Sequence, residues 1–216
     1  MFSLKVKYRR CYGCDSMITK RLKGISLFAS AGIGETYFKE AGIDIVVANE
    51  LLEKRADLYR AIAPETTVVC GDITKEEVFE KIISSAPKKV DFLLASPPCQ
   101  GMSVAGNRDP FDERNQLIYY AIDVIKRVNP KFVMLENVPR LLVTKINVNG
   151  TTMLIPDYIK EELGTHYRFN NDTLVKAKDY GVPQLRERNI FLLAHKDTQI
   201  KWEFPEKDDK VITLEE

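Results

Sequence analysis

The feature that most constrains this chain is a repeated alternation of short apolar runs with amphipathic helical patterns. Residues 25–28, 43–48, 67–70, 90–95, 132–135 and 190–194 read as strands. Several are nearly continuous in apolar residues, as strands buried on both faces are. Between them lie helical patterns at 35–41, 52–62, 75–84 and 117–128. Gly42 stops the first. The third carries Val78, Phe79, Ile82 and Ile83, and the fourth carries Ile118, Ala121, Ile122 and Ile125 on one face. Strands alternating with helices specify an α/β domain, Rossmann-like, with a mostly parallel sheet and helices on both faces. A chain of 216 residues is long enough for one such domain with its own core. Asn149-Gly150 reads as a tight turn. No internal repeat or low-complexity segment interrupts the pattern.

An open sheet of this kind binds ligands beyond the carboxyl ends of its strands, so the residues just after each strand are the informative ones. The first strand runs into Phe28-Ala29-Ser30-Ala31-Gly32-Ile33-Gly34-Glu35. Small residues and glycines let the backbone turn sharply against a ligand, and the free N–H groups of a following helix suit a carboxylate or phosphate. A dinucleotide fingerprint requires a further glycine at position 37, which is Tyr37, so the loop speaks against a nicotinamide cofactor. The second strand ends in Ala48-Asn49-Glu50. Glu50 either accepts from ribose hydroxyls or favours the start of the next helix through its dipole. The third strand ends in Gly71-Asp72-Ile73-Thr74. Asp72 either accepts from an adenine amino group or, like Thr74, caps the helix that starts near Lys75.

The fourth strand leads into Ser96-Pro97-Pro98-Cys99-Gln100-Gly101. A free cysteine is usually a small buried hydrophobe, and Cys70 is read that way. Cys99 differs, because two prolines restrict the backbone before it and a loop at a strand's carboxyl end can expose and activate a thiolate. The fifth strand ends in Glu136-Asn137-Val138, and a carboxylate leaving an apolar strand is either costly or functional. Later comes Gln184-Leu185-Arg186-Glu187-Arg188. Its two arginines at alternate positions either face one side of an extended segment or pair with Glu187 and surface acids.

Composition adds bounds. Hydrophobic residues make up 44% and charged residues 29%, the balance of a soluble globular protein. No apolar run is long enough for a membrane span, and the opening residues do not resemble a signal peptide, so a cytoplasmic location is expected. The net charge of +1 does not announce a nucleic-acid binder. Its distribution is uneven, with seven Lys or Arg against one acid in residues 1–23, and four Lys against seven acids from Lys196 onward. The basic segment is either solvated surface or an arm near phosphates. Cys11 and Cys14 form a Cys-x-x-Cys pair with no second pair, and His166 and His195 are far off in sequence, so no metal site is expected.

Taken in order, Leu27-Phe28-Ala29 through Gly32, Asn49-Glu50, Gly71-Asp72-Ile73, Pro97-Pro98-Cys99-Gln100-Gly101, Glu136-Asn137-Val138 and Gln184-x-Arg186-x-Arg188 resemble the motifs of the DNA (cytosine-5)-methyltransferase family. They cover roughly residues 24–194, and the Pro-Cys-Gln, Glu-Asn-Val and Gln-x-Arg-x-Arg trio is specific as a set. The resemblance implies an S-adenosylmethionine-dependent methyltransferase fold and methyl transfer to carbon 5 of a cytosine flipped out of double-stranded DNA. It makes Cys99 the nucleophile that adds to carbon 6. Glu136 is then the partner of ring nitrogen 3 and the amino group, and Arg188 contacts the base. Arg186 supports the catalytic site, while Gln100, Ser103 and Gln184 are substrate-binding. It also implies that Phe28, Ala29, Ala31, Gly32, Glu50, Leu51, Asp72, Ile73 and Pro98 bind S-adenosyl-L-methionine. The family usually has glycine where this chain has Ser30 and Ile33, and often an aromatic where it has Leu51.

The resemblance divides the chain into a basic extension (1–23), a catalytic cofactor-binding domain (24–195) and a tail (196–216) leading toward a target-recognition region. That region and two final family motifs are absent from the sequence. The expectation is the catalytic subunit of a split enzyme of a restriction–modification system, with the recognition region on a second polypeptide and an exposed apolar face for it. The alternatives are a fragment or inactive relative of such an enzyme, a transfer RNA cytosine-5 methyltransferase and a non-catalytic nucleotide-binding subunit.

Overall fold

The computed structural model describes residues 21–98 and 116–208. The basic segment up to residue 20, with Cys11 and Cys14, therefore lies outside the described residues, as do Cys99, Gln100 and Ser103. Parallel strands β1 (Leu22–Leu27), β2 (Ile43–Glu50), β3 (Thr67–Cys70), β4 (Phe92–Ala95) and β5 (Phe132–Asn137) form the body of the sheet. Short strands β8 (Tyr167–Phe169) and β9 (Leu174–Lys176) and the long β10 (Glu187–His195) complete it. The order is β3-β2-β1-β4-β5-β10-β8, with β9 also on β10, and β10 runs antiparallel to β5. The order reverses between β1 and β4, and that point is where an open sheet offers its ligand crevice.

The expected strands and three of the four expected helices are present: α1 (Glu53–Ile62), α2 (Glu76–Ser85) and α3 (Leu117–Val128). The strand residues alternate between two cores, which is the pleat period. Leu93, Ala95, Val133 and Leu135 face a large cluster beneath α2, α3 and α4 (Ile155–Leu163). Phe92, Leu94, Phe132 and Met134 face a smaller one containing Tyr59 of α1 and Trp202. In β2 the register shifts beside Gly24/Ile25, so Ile45 and Val47 point to opposite cores.

The helix expected at 35–41 is replaced by a 3-10 turn, Ile33–Glu35, and a run of turns to Gly42. Phe38 N–H reaches Glu35 O, and Gly42 N–H reaches Lys39 O. Glu35 and Phe38 both point inward, Glu35 to Ser26 and Phe38 into the smaller core, and a three-residue period places them on one side. Gly42 does end the segment, at φ 83°. Asn149 and Gly150, at φ 50° and 86°, form the tight turn between β6 (Lys145–Val148) and β7 (Thr151–Leu154), a hairpin with both central residues left-handed. β1 begins at Leu22, inside the expected extension. The expected tail is packed: after a 3-10 turn at Lys196–Thr198, Trp202 lies edge-on to Phe92 and Phe132, and Asp208 N–H bonds Asp179 O.

Candidate active site

The carboxyl ends of β1, β2, β3 and β4 open onto a cavity of about 550 Å³. Phe28, Ser30, Asn49, Glu50, Leu51, Leu52, Arg55, Gly71, Asp72, Ile73, Ser96, Pro98 and Leu117 line it. Of the expected cofactor residues, the sheet thus gathers Phe28, Glu50, Leu51, Asp72, Ile73 and Pro98 around one space. Ala29, Ala31 and Gly32 are not among its walls. Ala29 is buried, its N–H on Asn49 O, and Ala31 and Gly32 border a separate cavity of about 180 Å³ with Glu35 and Tyr59.

The loop after β1 is built on left-handed backbone at Phe28 (φ 58°), Ser30 (φ 51°) and Gly32 (φ 76°). For the two non-glycine residues this conformation costs roughly 1–2 kcal/mol each. What holds it is Glu50, whose Oε2 accepts from Ser30 N–H at 2.8 Å. Oε1 of the same carboxylate accepts from Leu52 N–H at 2.9 Å, and Arg55 lies 3.9 Å away. Glu50 organises the entry to α1, and its buried carboxylate also borders the cavity. Ile33, where the family has glycine, is 78% exposed and burdens the loop with no clash. Asn49 pins β3 to β2 by donating to Val69 O and Gly71 O. Asp72 accepts from Thr74 N–H at 3.0 Å inside its own turn, and α2 has no side-chain cap, so Asp72 is not the helix cap.

Beneath the loop, Ser26 Oγ donates to Glu35 Oε1. Burial raises the Glu35 carboxyl above its ordinary value, with the Ser26 bond opposing the rise. Burial and the nearby Glu35 also push the Tyr59 phenol up. Cys70 is half-buried rather than fully buried, with its thiol on Leu51 O and pushed up to about 11 by burial and by Glu53.

Beside the cavity, β4 ends because Pro97 and Pro98 have no N–H to continue the ladder. Asn137 Nδ2 instead holds Pro97 O at 2.8 Å, fixing the backbone two residues before Cys99. One residue earlier in β5, Glu136 points to the opposite face. There Arg188 Nε meets Glu136 Oε1 at 2.9 Å, both side chains about a quarter exposed (25% and 30%). The Glu187 carboxylate pairs with Lys176, and Arg188 takes only the Glu187 backbone carbonyl. Arg188 therefore finds its acid across the sheet, not in its neighbour. Gln184 and Arg186 are exposed on the approach to β10, and Ala177 N–H bonds Arg186 O. Sequence reasoning missed the Glu136–Arg188 pair, Arg55 and Asn49. The first depends on the β5–β10 register, while the other two flank Glu50 and were within reach of its motif. Among the described residues, no group of three or more His, Cys, Asp or Glu is placed to hold a metal, and no helix is long and apolar enough to cross a membrane.

Comparison with known proteins agrees with this geometry. The profile of the C-5 cytosine-specific DNA methylase family matches residues 22–216. Type II methyltransferase M1.HgaI of Avibacterium volantium is 45% identical over 203 residues, covering 91% of this chain and 56% of that protein. Type II methyltransferase M.NgoPII of Neisseria gonorrhoeae is 35% identical over 202 residues, covering 90% and 55%. The chain thus spans little more than half the length of these relatives. A solved DNA modification methyltransferase encoded within an E. coli prophage superimposes with a TM-score of 0.70 at 25% identity, covering 89% of this chain and 53% of the other. The Dnmt2 methyltransferase of S. pombe shares the fold, with a TM-score of 0.61 at 18% identity over 85% of this chain and 51% of its own. With its motifs in order and its strand ends converging on one crevice, the chain belongs to the C-5 cytosine-specific DNA methylase family.

Proposed function

We propose that this chain is the catalytic, cofactor-binding part of a DNA (cytosine-5)-methyltransferase of a restriction–modification system. The observation that carries the reading is the Glu136–Arg188 pair at the carboxyl end of β5, one residue before the Asn137 that holds the Pro97 carbonyl, with Pro98 itself on the wall of the 550 Å³ cavity. The cavity's donor set fits S-adenosyl-L-methionine. Phe28, Leu51, Ile73 and Leu117 offer apolar walls for an adenine ring. Each Glu50 oxygen spends one lone pair on a backbone N–H and keeps another for ribose hydroxyls, and Asp72 keeps acceptor capacity for an amino group. When bound, that cofactor supplies an electrophilic methyl group.

The chain's own residues do the rest. The Cys99 thiolate forms a bond to carbon 6 of the flipped cytosine, and the ring electrons move toward carbon 5, which becomes nucleophilic. Glu136, steadied by Arg188, hydrogen-bonds ring nitrogen 3 and the amino group, stabilising the charge that develops there. After methylation, loss of the carbon 5 proton expels the Cys99 sulfur and restores aromaticity. Arg186, Gln184, Gln100 and Ser103 are assigned to holding the target strand and base. The relatives are longer than the part matched here, and we propose that target recognition is carried by further polypeptide acting with this chain, in the form of a second subunit.

The test is transfer of labelled methyl groups to DNA and to transfer RNA, with and without any co-purifying polypeptide. DNA is expected to be the acceptor, and Cys99→Ser is expected to abolish transfer. An unchanged rate in that variant, or transfer to RNA alone, would overturn the assignment.

A further inference from the structure

Four asparagines are buried among the described residues: Asn49, Asn137, Asn170 and Asn189. Three use their amides fully in holding backbone. Asn49 donates to Val69 O and Gly71 O, Asn137 donates to Pro97 O and accepts from Val138 N–H, and Asn170 donates to Asp172 O and Ile190 O and accepts from Leu192 N–H. Asn189 is 0% exposed, and among the described residues neither its Nδ2 nor its Oδ1 has a partner. An orphaned amide on an apolar face is a destabilising choice, since an aliphatic residue of the same size serves the core better. Residues that break such a rule concentrate at functional sites.

The position of Asn189 is informative. It lies directly opposite Asn137 in the β5–β10 ladder. Opposed residues of an antiparallel pair share a face, with Cβ atoms about 4.5–5.5 Å apart. Its backbone neighbour Arg188 reaches Glu136 on the other face. Asn189 thus shares a rung with the amide that grips the Pro97 carbonyl, and it belongs to the strand that carries Arg188.

We propose that Asn189 is a positioning residue for the Pro97-Pro98 turn, acting through Asn137. It offers the Asn137 amide a second hydrogen-bonding partner, so the Pro97 carbonyl has two defined settings, one gripped and one released. This rests on the methyltransferase reading above.

The experiment compares wild type, Asn189→Leu and Asn189→Thr in the full chain, with any companion polypeptide present. Thermal unfolding, S-adenosylmethionine affinity, and the rate of covalent capture by DNA containing 5-fluorocytosine are measured. Asn189→Leu is expected to raise Tm by about 2–4 °C, to leave cofactor affinity unchanged, and to slow capture and kcat about tenfold or more at unchanged KM for DNA. Asn189→Thr, which keeps a hydrogen-bonding group in the form of a hydroxyl, is expected to recover most of the rate. A Leu variant with raised Tm and native kcat would sink the proposal, because the orphan would then be idle. A Leu variant with lowered Tm would sink it too, because the amide would then serve the fold. Wild type that forms no covalent adduct would instead remove the reading on which the proposal stands.

Discussion

At the scale of single residues, the cofactor loop is governed by how left-handed backbone is held. Ser30 sits at φ 51° because Glu50 captures its N–H, not because serine tolerates that conformation. Ser30→Gly keeps the bond and relieves the strain, and is expected to stabilise the fold by about 0.5–1 kcal/mol in urea denaturation, the relief partly offset by glycine's greater unfolded-state entropy. Glu35 gives a pH-dependent counterpart. Its folded carboxyl lies above the ordinary value of 4.5, so the native state binds the proton more tightly than the unfolded chain does. Stability from this group is therefore greatest below the ordinary carboxylate range and is lost as pH rises through the folded value. The Tm of Glu35→Gln relative to wild type is expected to increase between about pH 4 and about pH 7. A difference that stays flat over that range would count against the buried-carboxyl picture.

At the scale of elements, strand ends set the shape of the crevice. Gly71, at φ 143°, brings β3 to the cavity wall, and a Cβ there would lie 2.8 Å from Val78 Cγ2. Gly71→Ala is expected to cost about 1–3 kcal/mol and to weaken S-adenosylmethionine binding in calorimetry, and Val78→Ala is expected to restore only the steric share. The parallel strands and α3 were legible because a strand buried on both faces is a nearly unbroken apolar run, and a long helix repeats its stripe. The strands β6 to β9 were not, being short and mostly half-exposed, with β8 and β9 defined by their pairing to β10. The same division runs through the site. Glu50 and Asp72 could be offered as ligand residues from their strand ends, each beside a helix-start alternative, while Phe28, Ile73 and Pro98 came with the family resemblance. The meeting of Glu136 with Arg188 is a matter of register between strands separated by a hairpin, α4 and two short strands, and no local pattern encodes it. The turn at 33–42 was misread because a short segment ended by a glycine suits a helix and a run of tight turns alike.

At the scale of the whole molecule, the two sheet faces are unequally covered. One is packed under α2, α3 and α4, while the other relies on α1 and on the segment after β10, where Trp202 touches Phe92 and Phe132. That segment is further tied by Arg168 to Ile200 O and by Glu203 to Asn171 N–H. Trp202→Ala is expected to cost about 2 kcal/mol, less than the roughly 3–5 of a fully enclosed aromatic. The loss should appear as a lower Tm with the α-helical circular dichroism signal retained.

The reversed direction of β10 carries a consequence for how sequences of this kind can drift. Arg188 faces Glu136 only because Ile190 is aligned with Glu136 in the ladder. Insertions between Lys178 and Pro183, after β9, lengthen the turn into β10 without changing that alignment. A single-residue deletion inside 189–194 would turn every later side chain to the wrong side of the sheet. Length variation among natural or engineered versions should therefore gather ahead of β10 and stop at its first residue.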